Sequence, residues 1–128
     1  MIQIVKDSDT RPWFFLQTAH TTYGMWVMET GHLEHLYYGE RITVDSQDPA
    51  SCAPLVIQRG FAPGNTCTYD KEHPHISMED VCLEVGTLGK GDIREPFLEV
   101  RFTDGSVTSD FTFDSYETTA YFTIKKFN

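Results

Sequence analysis

The chain has 128 residues, of which 40% are apolar and 23% are charged, so it is neither disordered nor fibrous. Its length is that of one domain and is too short for a barrel enzyme of about 250 residues. A formal charge of −9 argues against nucleic acid and an anionic membrane as partners, because an acidic surface repels both.

The first half of the chain contains three segments with strand character. Residues 12–18 (PWFFLQT) and 22–29 (TYGMWVME) are rich in aromatic and β-branched residues and are separated by a short turn, which predicts a hairpin. Residues 32–38 (HLEHLYY) end at a glycine and are predicted as a third strand. The three-residue spacing of Leu33 and Leu36 leaves a short helix open there.

A long irregular stretch, roughly residues 45–94, separates the two halves. It contains four prolines, and five glycines lie between Gly60 and Gly91. A loop of this length in a compact domain is usually functional or disordered. Residues 59–65 (RGFAPGN) carry one cation and one aromatic side chain, Arg59 and Phe61, and form its most turn-rich part.

The second half alternates with a period of two. Leu98, Val100 and Phe102 are predicted to share one face, and the turn at Asp104 and Gly105 is a strong hairpin signal. The alternation continues over residues 107–114, with Asp110 and Asp114 on the exposed side, and returns at Phe122 and Ile124. The whole pattern predicts an all-β protein, namely an antiparallel β-sandwich with a long irregular loop between its halves.

The segment of residues 91–96 (GDIREP) is distinctive. Asp92 and Arg94 are two residues apart, so they share a side in extended chain and can form an ion pair. Pro96 favours an extended conformation for Glu95. From chemistry alone, Asp92, Arg94 and Glu95 are predicted to form a structural loop.

Catalytic and metal signatures are weak. His73 and His75 form an H-x-H pair, but no third ligand follows from the spacing, so two exposed loop histidines are favoured over a metal-dependent, cupin-like barrel. The many carboxylates fit a charged, solvated surface, and no motif of a serine or cysteine nucleophile is present. We therefore expect no catalytic residue, no metal and no cofactor in this chain.

The cysteines and the N-terminal residues favour a cytoplasmic protein. Cys52, Cys67 and Cys82 are odd in number and form no C-x-x-C pair, which is typical of reduced thiols. Residues 1–7 lack the basic and apolar segments of a signal peptide, and no apolar run approaches the ~20 residues of a membrane span.

Several segments carry a family resemblance. Residues 89–100 (GKGDIREPFLEV), 104–106 (DGS) and 109–111 (SDF) look like the N-terminal domain of glycoside hydrolase family 36 α-galactosidases. Residues 14–18, 22–23 and 31–39 resemble the opening strands of that domain in order and spacing, and residues 59–63 have a counterpart loop. The resemblance extends over roughly residues 10–117.

The resemblance implies an enzyme built from an N-terminal β-supersandwich, a catalytic (β/α) barrel and a C-terminal β-sandwich. Such enzymes hydrolyse terminal α-galactosides of the melibiose and raffinose type with retention, using two aspartates of the barrel. Residues 1–128 would then be a single N-terminal β-sandwich domain, truncated from a larger multidomain enzyme and inactive alone. Its partners would be the barrel of the parent chain and further copies of itself, because a truncated sandwich exposes strand edges and an apolar face.

The resemblance also implies a contact with galactoside. In tetrameric members the long loop reaches a neighbouring subunit's active site, and the matching positions are Gln58, Arg59 and Phe61. Gln58 stands where the family often has an aspartate. An independent carbohydrate-binding module, with Phe61 as its stacking platform, is the alternative interpretation.

Overall fold

A computed structural model describes residues 1–6, 11–59 and 67–118. It divides the chain into two compact units, one formed by Met1–Ile57 and the segment from Thr112 onwards, the other by Gln58–Phe111. Within the described residues, the regular elements are four β-strands and two short 3-10 helices. None of these helices is long and apolar enough to cross a membrane.

The four strands form one antiparallel sheet in the first unit. They are β1 (Ile2–Lys6), β2 (Pro12–Gln17), β3 (Thr21–Val27) and β4 (Leu33–Glu40). Each strand pairs with the next one along the chain, so the sheet is a simple meander. Short connections between antiparallel neighbours are the expected result of hairpin-type turns.

Strand β2 is covered on both faces, which explains its almost continuous apolar sequence. Trp13 and Phe15 point into the main core, whereas Phe14 points to the opposite face. There its ring packs against Phe113 and Tyr116, with centroid distances of 5.9 and 5.1 Å. The main core also contains Val5, Val44 and Cys52. A two-sheet sandwich requires only one packed face per sheet, so the cover that Phe113 and Tyr116 give Phe14 is an additional layer on this strand.

A buried carboxylate is accommodated between β3 and β4. Glu34 is 1% exposed, and its Oε2 accepts a hydrogen bond of 2.8 Å from the indole nitrogen of Trp26. The two residues are directly opposite in the strand register. The ring of Trp26 lies 4.7 Å from that of Trp13 on β2, so this polar contact is set within an aromatic cluster.

The second unit, Gln58–Phe111, is organised around turns rather than strands. Its buried apolar residues include Met78, which begins the 3-10 helix Met78–Asp80, and Ile76 and Val81, which lie just before and after it. The other 3-10 helix, Pro49–Leu55, belongs to the first unit and buries Cys52.

The all-β prediction is confirmed, and so are the hairpin of β2 and β3 and the third strand that follows it. The short helix left open at Leu33 and Leu36 does not form, because both residues lie in β4. Strand β1 was not predicted as a strand. The irregular character of residues 45–94 is confirmed for the part that the structure describes, apart from the two 3-10 helices.

The strands predicted in the second half are wrong for the described residues. The turn at Gly105 forms, with φ +89° and a 2.9 Å hydrogen bond from Phe102 N to Ser106 O, but no strand flanks it. Leu98 and Phe102 are 41% and 47% exposed instead of buried. Alternation shows which face of a strand could be buried, but a strand also needs a paired neighbour. Phe122 and Ile124 lie outside the described residues.

Candidate functional site

The side chain of Arg94 links two segments of the second unit. Its Nη2 donates to the carbonyl oxygens of Met78, at 3.0 Å, and of Val81. Its Nε and Nη2 also donate to the two carboxylate oxygens of Asp92, at 2.8 and 2.9 Å. The contact with Asp92 has the bidentate geometry that arginine favours for carboxylates. One planar guanidinium therefore joins the loop of residues 91–96 to the 3-10 helix Met78–Asp80.

Local sequence explains how Asp92 and Arg94 meet. Asp92 Oδ1 accepts a 3.0 Å bond from the backbone N of Arg94, which is an Asx turn. Gly89 and Gly91 precede it with φ of +98° and +94°, conformations that L-residues rarely adopt. At Gly89 a Cβ would also lie 2.5 Å from Thr108 Oγ1, so space as well as backbone geometry requires glycine there.

The electrostatics of this pair favour its charged form. Burial alone would raise the pKa of Asp92, but the hydrogen bonds and the charge of Arg94 outweigh burial and lower it. Reciprocally, the hydrogen bond to Asp92 raises the pKa of Arg94. Both groups are therefore ionised at neutral pH, and the arginine is held in a fixed position.

Of the residues predicted to contact sugar, the structure describes Gln58 and Arg59. Gln58 is exposed, and Arg59 donates from Nη2 to the carbonyl oxygen of Asp80 at 3.3 Å. Arg59 therefore contacts the same 3-10 helix as Arg94, and part of its hydrogen-bonding capacity is used by the backbone. Phe61 lies outside the described residues, and Glu95, in the other predicted loop, is exposed.

A second polar cluster lies around Tyr69, and sequence reasoning missed it. The hydroxyl of Tyr69 donates to Asp110 Oδ2 at 2.7 Å, and Lys90 Nζ lies 3.9 Å from the same oxygen. Burial, followed by the hydrogen bond to Asp110 and its charge, raises the pKa of Tyr69 to about 12. Asp110 was predicted to be exposed, but its side chain is 19% exposed because it receives these donors from residues distant in sequence.

Of the two histidines of the H-x-H pair, His73 makes a polar contact with Asp70, and His75 lies near the ring of His73. His73 Nδ1 lies 2.8 Å from Asp70 Oδ1, and the rings of His73 and His75 are 6.4 Å apart. Hydrogen bonds from His73 outweigh partial desolvation and lower the pKa of Asp70. Among residues 1–6, 11–59 and 67–118, no three His, Cys, Asp or Glu side chains are grouped as a metal would require.

The geometry of the described residues therefore anchors loops. Comparison with known proteins identifies the domain type. The model of the glycosyl hydrolase family 36 N-terminal domain matches residues 31–126. The chain belongs to this family.

Relatives of known name agree with this assignment. Over 104 residues, which are 81% of this chain, it is 38% identical to the bifunctional α-galactosidase/sucrose kinase AgaSK of Mediterraneibacter gnavus. The crystal structure of the α-galactosidase from Lactobacillus brevis superposes with a TM-score of 0.71 at 29% identity, over 88% of this chain. A family 36 α-galactosidase from Geobacillus stearothermophilus, at 21% identity over 82% of this chain, has a TM-score of 0.67 and supports the fold alone.

The matched regions are small parts of these relatives. The chain spans 10% of the length of the M. gnavus protein, 14% of the L. brevis structure and 14% of the G. stearothermophilus structure. The family assignment therefore concerns the N-terminal domain and does not by itself establish the activity of a complete protein.

Proposed function

We propose that this chain is the non-catalytic N-terminal domain of an α-galactosidase-like glycoside hydrolase that cleaves terminal α-galactosides such as melibiose or raffinose. The match of residues 31–126 to the family 36 N-terminal domain carries this proposal. The described site supports it, because Arg94 and Arg59 bind backbone carbonyls and hold a loop in place.

The partner of the domain is the catalytic barrel of its parent chain, and residues 1–128 form one β-sandwich domain of that longer, cytoplasmic enzyme. The small share of each relative that the chain spans supports a multidomain parent. The domain also contributes to a homo-oligomer, in which the loop with Gln58, Arg59 and Phe61 narrows the galactoside pocket of a neighbouring subunit.

The activity is tested on two polypeptides, which are the chain itself and the polypeptide encoded by its whole natural reading frame. We expect the 128-residue chain to leave a nitrophenyl α-galactoside intact, whereas the polypeptide encoded by the whole reading frame cleaves it. Removing residues 1–128 from that polypeptide is expected to abolish cleavage or assembly. Turnover by the isolated chain, or a whole polypeptide inactive on α-galactosides, would disprove the proposal.

The pocket role is tested with Gln58→Ala in the whole polypeptide, because Gln58 is exposed and its removal leaves the anchoring arginines intact. We expect a several-fold higher KM for raffinose with an unchanged kcat, since a remote contact contributes to binding rather than chemistry. Gln47→Ala, at another exposed glutamine, is the matched control. Equal KM values for the two variants would exclude a sugar contact at Gln58.

A carbohydrate-binding module is the second candidate, and an aromatic cluster on the sheet favours it. Tyr38 is 70% exposed, and its ring lies 6.0 Å from that of Tyr23, which in turn lies 5.0 Å from the ring of His35. Exposed rings of this kind can stack on sugar faces. Calorimetry of the isolated chain with melibiose tests this hypothesis. A heat of binding that is lost in Tyr38→Ala supports a binding module, and the absence of any heat of binding rejects it.

A further inference from the structure

The segment of residues 97–103 (FLEVRFT) is held at its two ends and open in the middle. Phe97 N and Leu98 N donate to Gly86 O at 3.0 and 3.3 Å, and Phe102 N donates to Ser106 O at 2.9 Å. Between these points, the structure shows no backbone hydrogen bond from residues 99–101 to another described residue. Within the part of the chain that the structure describes, the central amides and carbonyls thus lack a backbone partner, as at the edge of a sheet.

The same segment carries apolar surface. Phe97 is 78% exposed and Leu98 is 41% exposed, and the neighbouring Ile93 and Phe102 are exposed as well. Alternating apolar residues beside unpaired backbone groups are the features to which an added β-strand binds. An occupant of this edge would gain backbone hydrogen bonds and apolar contacts together.

We propose that the occupant is the same segment of a second copy of the chain, paired antiparallel with Val100 opposite Val100 of the second copy. This register places Glu99 opposite Arg101 of the second copy, and Arg101 opposite its Glu99. It also places Leu98 opposite Phe102 of the second copy. Directly opposite residues in antiparallel strands are neighbours, so both charged pairs and both apolar pairs are favourable.

Neighbouring registers lack this complementarity. A shift by one residue puts Glu99 opposite an apolar residue, either Val100 or Phe102 of the second copy. A shift by two puts Glu99 opposite Glu99, or Arg101 opposite Arg101. Each copy carries a formal charge of −9, which opposes association, and the Val100-centred register supplies two contacts of opposite sign at the interface.

This proposal rests on the homo-oligomer part of the proposed function and specifies which segment mediates it. The test is sedimentation velocity of the 128-residue chain over a range of concentrations, with circular dichroism to verify folding. We expect the unmodified chain to form dimers. Glu99→Arg and Arg101→Glu should each weaken dimerisation about tenfold or more, because each replaces two attractive pairs by repulsive ones.

The double variant Glu99→Arg/Arg101→Glu should restore dimerisation, since it exchanges the charges without changing their pairing. Glu72→Arg, which makes the same change in net charge as Glu99→Arg at another exposed position, is the control and should leave dimerisation unchanged. A strictly monomeric unmodified chain would refute both the oligomer and this interface. A dimer that the single variants leave intact, or that the double variant fails to restore, would refute the interface alone.

A cross-link provides a second measurement if a charge variant fails to fold. In a background of Cys67→Ser and Cys82→Ser, which removes the exposed thiols, Val100→Cys should form a disulfide between copies on mild oxidation. Directly opposite residues in antiparallel strands have Cα atoms within disulfide range. The exposed position Glu95→Cys should cross-link much more slowly, and equal rates at the two positions would contradict the register.

Discussion

Replacing Arg94 by lysine tests whether its planar guanidinium, rather than its charge, holds the second unit together. The side chain is 48% exposed, so the ion pair with Asp92 contributes at most about 1 kcal/mol. Lysine keeps the charge but cannot bind both carboxylate oxygens and the carbonyls of Met78 and Val81 at once. Losing one or two such hydrogen bonds costs about 1–2 kcal/mol, and Arg94→Ala should cost about 2–3 kcal/mol.

Hydrogen exchange measured by mass spectrometry is the appropriate assay, because both tryptophans lie in the first unit and their fluorescence reports on the sheet. The amides of Asp80 and Val81, which donate to Ser77 O and Met78 O, should exchange roughly tenfold faster in Arg94→Lys. Peptides from β2 should be unaffected. Arg101→Lys, at an exposed arginine, is the matched control, and equal exchange in the two variants would refute the reasoning.

Two further predictions concern the same loop. Because Arg94 lowers the pKa of Asp92, the carboxylate stabilises the fold above its unfolded pKa of about 4, and this stabilisation is lost as the pH falls through the lower folded pKa. Urea denaturation should therefore show a stability difference between the unmodified chain and Asp92→Asn at pH 7 that diminishes as the pH is lowered below about 4; a constant difference would contradict it. Gly89→Ala should destabilise by about 1–3 kcal/mol more than Gly105→Ala. Both glycines have positive φ, but only at Gly89 would the methyl group meet Thr108, so equal melting temperatures would contradict this account.

The strands of the first unit were predictable because their signals are local. Apolar and aromatic residues in β2 and β3, with a short turn between them, determine a hairpin without knowledge of the rest of the chain. Strand β1 was not predicted because five residues near the N-terminus give too little periodicity to indicate a strand. Its extended conformation is stabilised by hydrogen bonds to β2. The segment around Val100 has a clearer alternation than β1, yet it has no strand neighbour among the described residues.

At the site, the spacing of Asp92 and Arg94 indicated that their side chains could meet, and the structure places them in contact. The other partners of Arg94 were not predictable, because they are backbone carbonyls 13 and 16 residues away, and every residue type has one. The contact between the side chains of Tyr69 and Asp110 was not predictable because the two residues are 41 positions apart and no local pattern links them. Which distant groups meet is decided by the path of the chain, and residue types do not encode that path locally.

The chemistry of arginine explains why a segment with little regular structure needs it. Buried carbonyl groups require donors, and in strands these are supplied by a neighbouring backbone. Around the 3-10 helix Met78–Asp80, Arg94 donates to the carbonyl oxygens of the buried residues Met78 and Val81. Arg59 donates to that of Asp80. A guanidinium has five N–H groups in a fixed plane, so one side chain can satisfy several acceptors. The glycine-aspartate to arginine stretch of residues 91–94 therefore takes the place of a strand partner for these carbonyl groups.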